Sequence, residues 1–351
     1  MFYLMLIGIF LSLPAHADNN LGLPSLKIPA DNPQFEEKIN LGRDFFHDPR
    51  FSSDGSVSCA SCHQKEKAFT DGLAVSKGIK GLTGLRNAPT VVNAAYFEKL
   101  FVDGRANSLE EQALGPMLNP VEHGLDNEQK ILEVVLKNTQ YKQRLQQVFN
   151  ISKQEISVQH VAKAIASFER TLIAGNSRFD QYYFGRDRNQ LSDSEARGLR
   201  IFKRKGNCAN CHEISFNNAL FSDNRFYNIG VGFKPLQPQL DDLLAAIKAG
   251  EDPSQFPLTD KQRSELGRFN VTKHSADIGK FKTPMLRNIA LTAPYMHDGS
   301  LPTLEEVVEY YDKGGDKNKY LDAAIFPLNL SAQEKMDLVA FMKALTSAQL
   351  L

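Results

Sequence analysis

Apolar residues recur at the spacing of an α-helix in three segments of the chain. In residues 154–172 they fall on one stripe, formed by Ile156, Val161, Ile165 and Phe168. Such a stripe is typical of an amphipathic helix with one buried face. We expect this helix to close the first half of the chain.

The other two segments begin with a helix N-terminal signal. Residues 192–205 start Ser-Asp-Ser-Glu, and residues 331–345 start Ser-Ala-Gln-Glu. A Ser followed three residues later by Glu is the capping-box pattern, so both segments are predicted to be helices. The Gly- and Pro-bearing stretches 72–89 and 230–239 are predicted to be loops. The pattern therefore predicts a mainly α-helical protein.

Length and composition fit a folded protein of two domains or one large one. The chain has 351 residues, of which 42% are hydrophobic and 23% charged, close to the usage of ordinary globular proteins. Lys plus Arg and Asp plus Glu both number 41, and no long run of one charge sign occurs. We therefore expect no nucleic-acid partner.

Residues 1–17 have the pattern of an export signal. They form an apolar stretch that ends in Ala15-His16-Ala17, a small-x-small cleavage pattern. A membrane anchor is the alternative, but the stretch is shorter than the roughly 20 apolar residues of a span. It also contains no Lys or Arg, which is atypical of the start of a signal. We expect cleavage, a periplasmic location and no stable membrane insertion of the mature chain.

All four cysteines belong to two copies of one motif, C-x-x-C-H, the attachment sequence of c-type haem. Its cysteines and histidines are Cys59, Cys62, His63, Cys208, Cys211 and His212. On a helical turn, positions i, i+3 and i+4 share a face. Two thiols can therefore reach the vinyl groups of one porphyrin while the histidine reaches its iron. The sequence predicts two covalently attached haems, with one histidine ligand each.

Three other uses of paired cysteines explain less. A thioredoxin-like redox pair needs no following histidine and is expected near a βαβ pattern, of which the periodicity shows none. A zinc site from two C-x-x-C pairs leaves both histidines unexplained. Two structural disulfides are common in exported proteins, but they too give the histidines no role.

A diverged internal repeat divides the chain. Arg-Asn, Asp-Gly and Leu-Glu-Glu follow the first motif at positions 86–87, 103–104 and 109–111, and the second motif at 287–288, 298–299 and 304–306. The same elements in the same order predict two cytochrome-c-like domains. We expect them at residues 18–175 and 193–351, joined by a linker at residues 176–192.

The repeat also predicts unequal haem environments. Tyr311 follows Glu306 by five residues, and Pro116 follows Glu111 by five. If the two registers correspond, a phenol oxygen lies over the second iron, whereas the first iron faces a residue that cannot ligate. We therefore expect one closed, six-coordinate haem and one open haem at which chemistry can occur.

Acid-base groups flank Pro116 in the sequence. Peroxide cleavage needs a base that takes a proton from the incoming oxygen and returns it to the leaving one. Glu122 is the candidate for this role, with Gln112 as a hydrogen-bond partner. A solvated loop carboxylate is an equally good explanation of Glu122 from spacing alone.

Three further residues keep alternative interpretations open. His123 is a candidate base or sixth ligand, although a lone loop histidine is more often structural. Met285 and Met296 are candidate sulfur ligands of the second iron, and the apolar core is the plainer place for either. Tyr311 ranks above both as that ligand.

These motifs resemble the bacterial dihaem cytochrome c peroxidase superfamily, and within it the MauG-like branch. The resemblance runs from the segment LGRDFFHDPR at residues 41–50 to Tyr311. It implies a peroxidatic N-terminal haem and an electron-transfer C-terminal haem. The family's pocket glutamine and glutamate fall on Gln112 and Glu122, and Pro116 resembles the MauG-like pocket. An inter-haem calcium would be bound by Asn87, Thr292 and Pro294.

Three departures separate the chain from peroxidases that need reductive activation. Those enzymes carry a histidine in the loop after the first motif, whereas here none occurs between His63 and His123. Their axial methionine aligns with Tyr311. The family's tryptophan before Asp-Gly-Arg is replaced by Val102, and the chain contains no tryptophan at all. The first two departures imply a constitutively open first haem and an anionic oxygen ligand that lowers the potential of the second haem. The third argues against long-range hole transfer.

The sequence therefore predicts a periplasmic dihaem enzyme that reduces hydrogen peroxide at the first haem, with electrons entering through the second. The expected donor is a monohaem cytochrome c or a cupredoxin. A MauG-like oxidase that modifies a partner protein is the nearest alternative, and a non-enzymatic dihaem electron carrier is another. Homodimers are common in the family, so a homodimer is among the expected partners.

Overall fold

The computed structural model describes residues 20–350 of the chain. The predicted signal peptide, residues 1–17, lies outside this range. Within it, no helix has both the length and the apolar character that a membrane span requires. The described part is mainly α-helical with one short two-stranded ribbon, in agreement with the helical periodicity of the sequence.

The helices fall into two series along the chain. The first half contains α1 (Glu36–His47), α2 (Cys59–Cys62), α3 (Leu109–Leu118), α4 (Glu128–Lys137), α5 (Thr139–Phe149) and α6 (Val158–Glu169). The second half contains α7 (Arg178–Tyr183), α8 (Asp193–Lys203), α9 (Leu240–Lys248), α10 (Asp260–Glu265), α11 (Phe269–Thr272), α12 (Leu304–Asp312) and α13 (Ala332–Lys343). The ribbon pairs β1 (Phe226–Tyr227) with β2 (Phe281–Lys282) in antiparallel orientation.

Each half is built around two helices that cross at a glycine. At the α1–α6 crossing, a Cβ on Gly42 would lie 1.8 Å from the Ala164 carbonyl oxygen. At the α8–α13 crossing, a Cβ on Gly198 would lie 2.0 Å from the Asp337 carbonyl oxygen. Only glycine lets the backbones approach this closely, so the same crossing occurs twice in the chain.

Aromatic side chains fill the space around each crossing. The first core contains Phe45, Phe46, Phe51, Met117 and Ile131, all fully buried. The second contains Phe179, Phe202, Phe221 and Phe341, equally buried and in edge-to-face contact with one another. Two separate apolar cores therefore accompany the two motifs.

The helix signals in the sequence correspond to observed caps. Ser192 and Ser331 each donate a backbone N–H to the glutamate three residues later, at 2.8 Å in both cases, and α8 and α13 begin there. The segment 154–172 is shorter as a helix than predicted. Ser157 caps α6, and the preceding Lys153–Glu155 forms a separate 3₁₀ turn.

The two halves repeat the same contacts, in the register that the Asp-Gly and Leu-Glu-Glu matches suggest but not in that of the Arg-Asn match. Asn93 and Asn288 both adopt φ +62° at the start of a 3₁₀ turn. The side-chain oxygen of Asn93 accepts the Ala174 N–H at 2.9 Å, and that of Asn288 accepts the Ser347 N–H at 2.8 Å. Each donor follows the last helix of its half, α6 or α13. The equivalent of Asn288 is therefore Asn93, and the sequence match with Asn87 is wrong by six residues. That match rested on a shared Arg-Asn pair, which does not reveal which asparagine adopts the positive φ.

The predicted linker contains ordered structure. Residues 178–183 form α7, and Phe179 packs in the second core. Asp180 accepts two hydrogen bonds from the buried guanidinium of Arg287, at 2.7 and 2.8 Å. The same guanidinium donates to the Gly22 carbonyl at 2.6 Å. This segment therefore belongs to the second half, and the start of the described chain packs there as well.

A third apolar cluster lies in the second half and has no counterpart in the described part of the first half, from residue 20 onward. It is formed around α9, α10 and α11 by Phe233, Leu236, Leu240, Leu243, Leu266, Phe269 and Ile278. Residues 230–239, predicted as a loop, contain the 3₁₀ segment Lys234–Gln239 and contribute to this cluster. The repeat did not predict this insertion because no residues of the first half match it.

We expect Asp180→Asn to lower the free energy of unfolding by about 3 kcal/mol, because it leaves the Arg287 guanidinium buried without a counter-charge. Chemical denaturation followed by circular dichroism measures the change. Glu133→Gln is the control, since Glu133 pairs with Lys137 at the surface, where such pairs contribute about 0.5 kcal/mol or less. Equal effects of the two substitutions would contradict the expected role of the buried pair.

Candidate functional site

The first C-x-x-C-H motif forms a single capped helical turn. Ser58 caps α2, and its backbone N–H donates to the Ser61 hydroxyl at 3.0 Å. Cys59 and Cys62 begin and end this turn, and His63 follows it. The Nδ1 atom of His63 lies 3.1 Å from the carbonyl oxygen of Phe69. Phe69 has φ +60°, which turns its carbonyl toward the ring.

The second motif repeats this arrangement with a different local turn. Residues Cys208–Asn210 form a 3₁₀ turn that starts from Asn207 at φ +56°. The Nδ1 atom of His212 lies 2.8 Å from the carbonyl oxygen of Phe221, and Phe221 also has a positive φ, +54°. Both histidines are therefore held by a backbone carbonyl that a left-handed phenylalanine presents.

This geometry fits a c-type haem at each motif. Burial lowers the pKa of both His63 and His212, which favours the neutral imidazole that binds iron. With Nδ1–H donating to a carbonyl, Nε2 is the atom left for the metal. All four cysteines are unpaired. No group of three or more His, Cys, Asp or Glu that could hold a metal occurs within residues 20–350.

Helices α3 and α12 have the same position in their respective halves. Ser108 caps α3 and accepts the Glu111 N–H, and Thr303 caps α12 and accepts the Glu306 N–H, at 3.1 Å in both cases. Counting from these caps, Pro116 and Tyr311 have the same register. The structure therefore supports the correspondence of registers on which the predicted asymmetry depends.

Tyr311 lies beside the second motif. Burial is the main cause that raises the pKa of its phenol, and the Cys208 and Cys211 thiols raise it further. The phenol is thus desolvated and close to both attachment cysteines. Pro116, in the same position of the first half, carries no atom that can bind iron.

Glu122 lies half-buried near the first motif, and we call its surroundings the Glu122 pocket. Burial raises the pKa of its carboxyl, and the Arg105 charge and a hydrogen bond from Asn119 oppose that shift. The Asn119 Nδ2 atom donates to Glu122 Oε1 at 2.6 Å. Glu122 in turn raises the pKa of the Cys59 and Cys62 thiols, so its carboxyl faces the attachment cysteines. The Glu122 carboxyl is thus partly desolvated and held by Asn119.

The loop 72–89 covers this pocket closely. The Ile79 N–H donates to the Glu122 carbonyl at 2.9 Å. A Cβ on Gly78 would lie 1.9 Å from the Val121 carbonyl oxygen, so the loop can approach only because residue 78 is glycine. The pocket wall therefore depends on a contact between two stretches of loop.

Arg105 is a pocket residue that sequence reasoning missed. Its guanidinium lies 3.4 Å from the centroid of the Phe101 ring and donates to both carboxylate oxygens of Asp103 at 3.0 Å. The Phe101 ring in turn packs on Gly115, next to Pro116. A signal was present in the sequence, because Arg105 directly follows the Asp-Gly element of the repeat. Only the fold brings its charge near Glu122.

The remaining candidates occupy varied positions. Gln112 lies on α3 one turn before Pro116, so the two share a helix face. His123 is buried, and its Nδ1 bonds the Phe51 carbonyl at 2.8 Å, which gives it a structural partner. Met285 is buried among apolar residues. Met296 has φ +73° and corresponds to Phe101 in the first half.

One of the residues expected to bind calcium, Asn87, contacts the second half. The Asn87 N–H donates to the His297 carbonyl at 3.0 Å, so Asn87 lies against the segment that carries Thr292 and Pro294. The Asn87 Nδ2 atom donates to the Leu73 carbonyl at 2.8 Å, which orients the amide. Oxygen donors of this kind suit a hard cation.

The helix crossing occurs twice, each time with a C-x-x-C-H turn whose histidine is hydrogen-bonded to a backbone carbonyl. This defines a protein of c-type cytochrome architecture with two haem-attachment motifs. A family model described as di-haem cytochrome c peroxidase matches residues 36–188. The chain belongs to this di-haem cytochrome c peroxidase family, as its similarity to known members over nearly its whole length shows.

Two relatives and one solved structure illustrate the similarity. Cytochrome-c peroxidase IdrP1 of Pseudomonas sp. (strain SCT) is 38% identical over 338 residues, covering 93% of this chain and 85% of that protein. The methylamine utilization protein MauG of Methylorubrum extorquens is 35% identical, covering 92% and 81%. The crystal structure of a MauG-like protein associated with microbial copper homeostasis gives a TM-score of 0.77 at 32% identity, covering 97% and 96%.

The family resemblance inferred from the sequence, with its MauG-like relatives, is thus confirmed. The family implies two c-type haems, and the chain is an oxidoreductase of the cytochrome-c peroxidase type. Relatives carry both the peroxidase and the MauG names, so the family alone does not distinguish the two activities.

We expect Cys59→Ala with Cys62→Ala to halve the covalent haem content, because each motif attaches one haem through thioether bonds. Cys208→Ala with Cys211→Ala should do the same at the other site. The pyridine haemochrome assay on purified, denatured protein measures haem per chain. Retention of two covalent haems in either double variant would contradict the assignment.

Proposed function

We propose that this protein reduces hydrogen peroxide to water at the first haem, with electrons that enter through the second. The observation that carries the proposal is the shared register of Pro116 and Tyr311 behind equivalent helix caps. A protein with one open haem, under Pro116, and one closed haem, under Tyr311, has one site for substrate and one for electron transfer. The proposed donor is a monohaem cytochrome c or a cupredoxin.

The pocket side chains would handle the protons of the reaction. When bound, the first haem supplies the iron that accepts peroxide and the electrons that cleave it. Glu122 takes a proton from the incoming peroxide oxygen and returns it to the leaving oxygen. Asn119 holds the carboxyl through Oε1, and the nearby Arg105 charge favours its ionised form. Gln112, on the same helix face as Pro116, orients peroxide or water.

The second site would hold its haem between His212 and Tyr311. A tyrosine oxygen is an anionic ligand that lowers the reduction potential relative to methionine. Asn87, Thr292 and Pro294 would hold one calcium between the halves, with water completing the coordination. Residues 1–17 support export, and we place the mature protein in the periplasm.

Oxidation of a partner protein is the competing activity within this family. The chain contains no tryptophan, and Val102 occupies the position where the family has one between its haems. A remote oxidation needs a relay of oxidisable side chains, so this composition favours the peroxidase. The decisive experiment is turnover of hydrogen peroxide with a reduced monohaem cytochrome c or cupredoxin. Turnover supports the proposal, whereas peroxide-driven covalent change in a partner without donor turnover would contradict it.

We expect Glu122→Gln to lower kcat/KM for peroxide by about 10²- to 10⁴-fold, the usual contribution of a general base. Stopped-flow mixing of the protein with peroxide measures the rate. Glu111→Gln is the matched control, because Glu111 lies exposed on α3 and caps the Asn107 N–H. A loss of similar size in both variants would count against a proton-transfer role for Glu122.

We expect Asn119→Ala to shift the acid limb of the pH profile of kcat/KM to higher pH. The Asn119 hydrogen bond favours ionised Glu122, so its loss raises the pKa of this carboxyl further. The base is active above its pKa and is lost as the pH falls through it. An unchanged or lowered limb would show that Glu122 is not the titrating base.

A further inference from the structure

A pair of equivalent hydrogen bonds joins the two halves across their interface. The Asn87 N–H donates to the His297 carbonyl at 3.0 Å, and the Lys282 N–H donates to the Val102 carbonyl at 2.8 Å. In the register set by Asn93 and Asn288, Lys282 corresponds to Asn87, and Val102 corresponds to His297. The duplication therefore makes two equivalent positions at the interface, one occupied by an amide side chain and one by a lysine.

The register extends to the neighbours of these two side chains. Thr292, expected to contribute a carbonyl to calcium beside Asn87, corresponds to Phe97 in the first half. The Lys282 ammonium lies 3.1 Å from the centroid of the Phe97 ring. It reaches from β2 of the second half to a residue of the first. The ammonium thus lies near the place that is equivalent to the proposed calcium site.

Among residues 20–350 the Lys282 ammonium has no counter-charge. Burial lowers the pKa of Lys282 to about 7, and no charged group within residues 20–350 opposes that shift. By contrast Lys280, two residues earlier, lies 3.2 Å from the Asp277 carboxylate. A desolvated ammonium without an anion is unfavourable, and an aromatic face compensates only in part. An anion from outside the polypeptide therefore belongs beside Lys282.

The cofactors implied by the two motifs carry such anions. Each haem has two propionate side chains, whose carboxylates are negatively charged. The Phe97–Lys282 contact lies where the two haem domains meet. We propose that the Lys282 ammonium is a tethered cation that pairs with a haem propionate at the domain interface, in the position equivalent to the calcium on the Asn87 side. The interface would then hold one exchangeable divalent cation and one covalently bound monovalent cation.

The proposal rests on haem binding at the two motifs but not on peroxide turnover. A cation beside a propionate stabilises the ferrous state over the more positive ferric state, so its removal lowers the reduction potential. Lys282→Gln should therefore lower the midpoint potential of at least one haem, while Lys282→Arg, which keeps the charge, should largely preserve it. Lys280→Gln is the control on the same segment and should leave both potentials unchanged.

Spectroelectrochemical titration of the purified dihaem protein measures both potentials. A fall in Lys282→Gln that exceeds any change in Lys280→Gln supports the proposal. Equal potentials in wild type and Lys282→Gln, both loaded with two haems, would overturn it. Absence of peroxide turnover in the wild type, with both haems bound and the Lys282→Gln shift present, would instead reject the proposed function alone, which separates the two claims.

A second readout remains decisive if Lys282→Gln does not retain its haems. The propionate bending band in resonance Raman spectra responds to the hydrogen-bond donor that faces the propionate. Lys282→Arg replaces a single ammonium by a planar guanidinium and should shift this band relative to wild type and Lys280→Gln. An unshifted band would overturn the pairing.

Discussion

The arrangement of both haem sites depends on the hydrogen bond between a histidine Nδ1 and a backbone carbonyl. His63 faces the Phe69 carbonyl and His212 faces the Phe221 carbonyl, and in each case the phenylalanine adopts the left-handed conformation. This bond fixes the direction of Nε2 and hence the side on which iron must lie. The opposite side is then determined by whichever helix packs across from the motif.

The duplication makes that opposite helix the source of asymmetry. Helices α3 and α12 begin from equivalent caps, so in the proposed function a single position decides whether an iron is open or closed. Pro116 removes a ligand and a backbone donor there, whereas Tyr311 presents a desolvated phenol beside two attachment cysteines. A difference at one matched position also occurs at the interface of the halves, where Asn87 and Lys282 occupy equivalent places. One scaffold thus supports two different chemical roles through a few substitutions at matched positions.

Sequence reasoning recovered the features that local chemistry determines. The cysteine motifs have a fixed spacing, and the capping boxes at Ser192 and Ser331 form as predicted. Asn93 was missed as the equivalent of Asn288 because its role depends on a positive φ and on a hydrogen bond from the distant Ala174 N–H. Arg105 was missed because its charge reaches Glu122 only in the folded chain. The cluster at α9–α11 could not be inferred from a repeat in which it is an insertion.

The most direct test of one open and one closed haem is the electron paramagnetic resonance spectrum of the ferric protein loaded with both haems, compared with Tyr311→Met. We predict one high-spin and one low-spin species in the wild type, with only the low-spin signal altered by the substitution. Two low-spin species in the wild type would contradict the account, because they would place a sixth ligand on both irons.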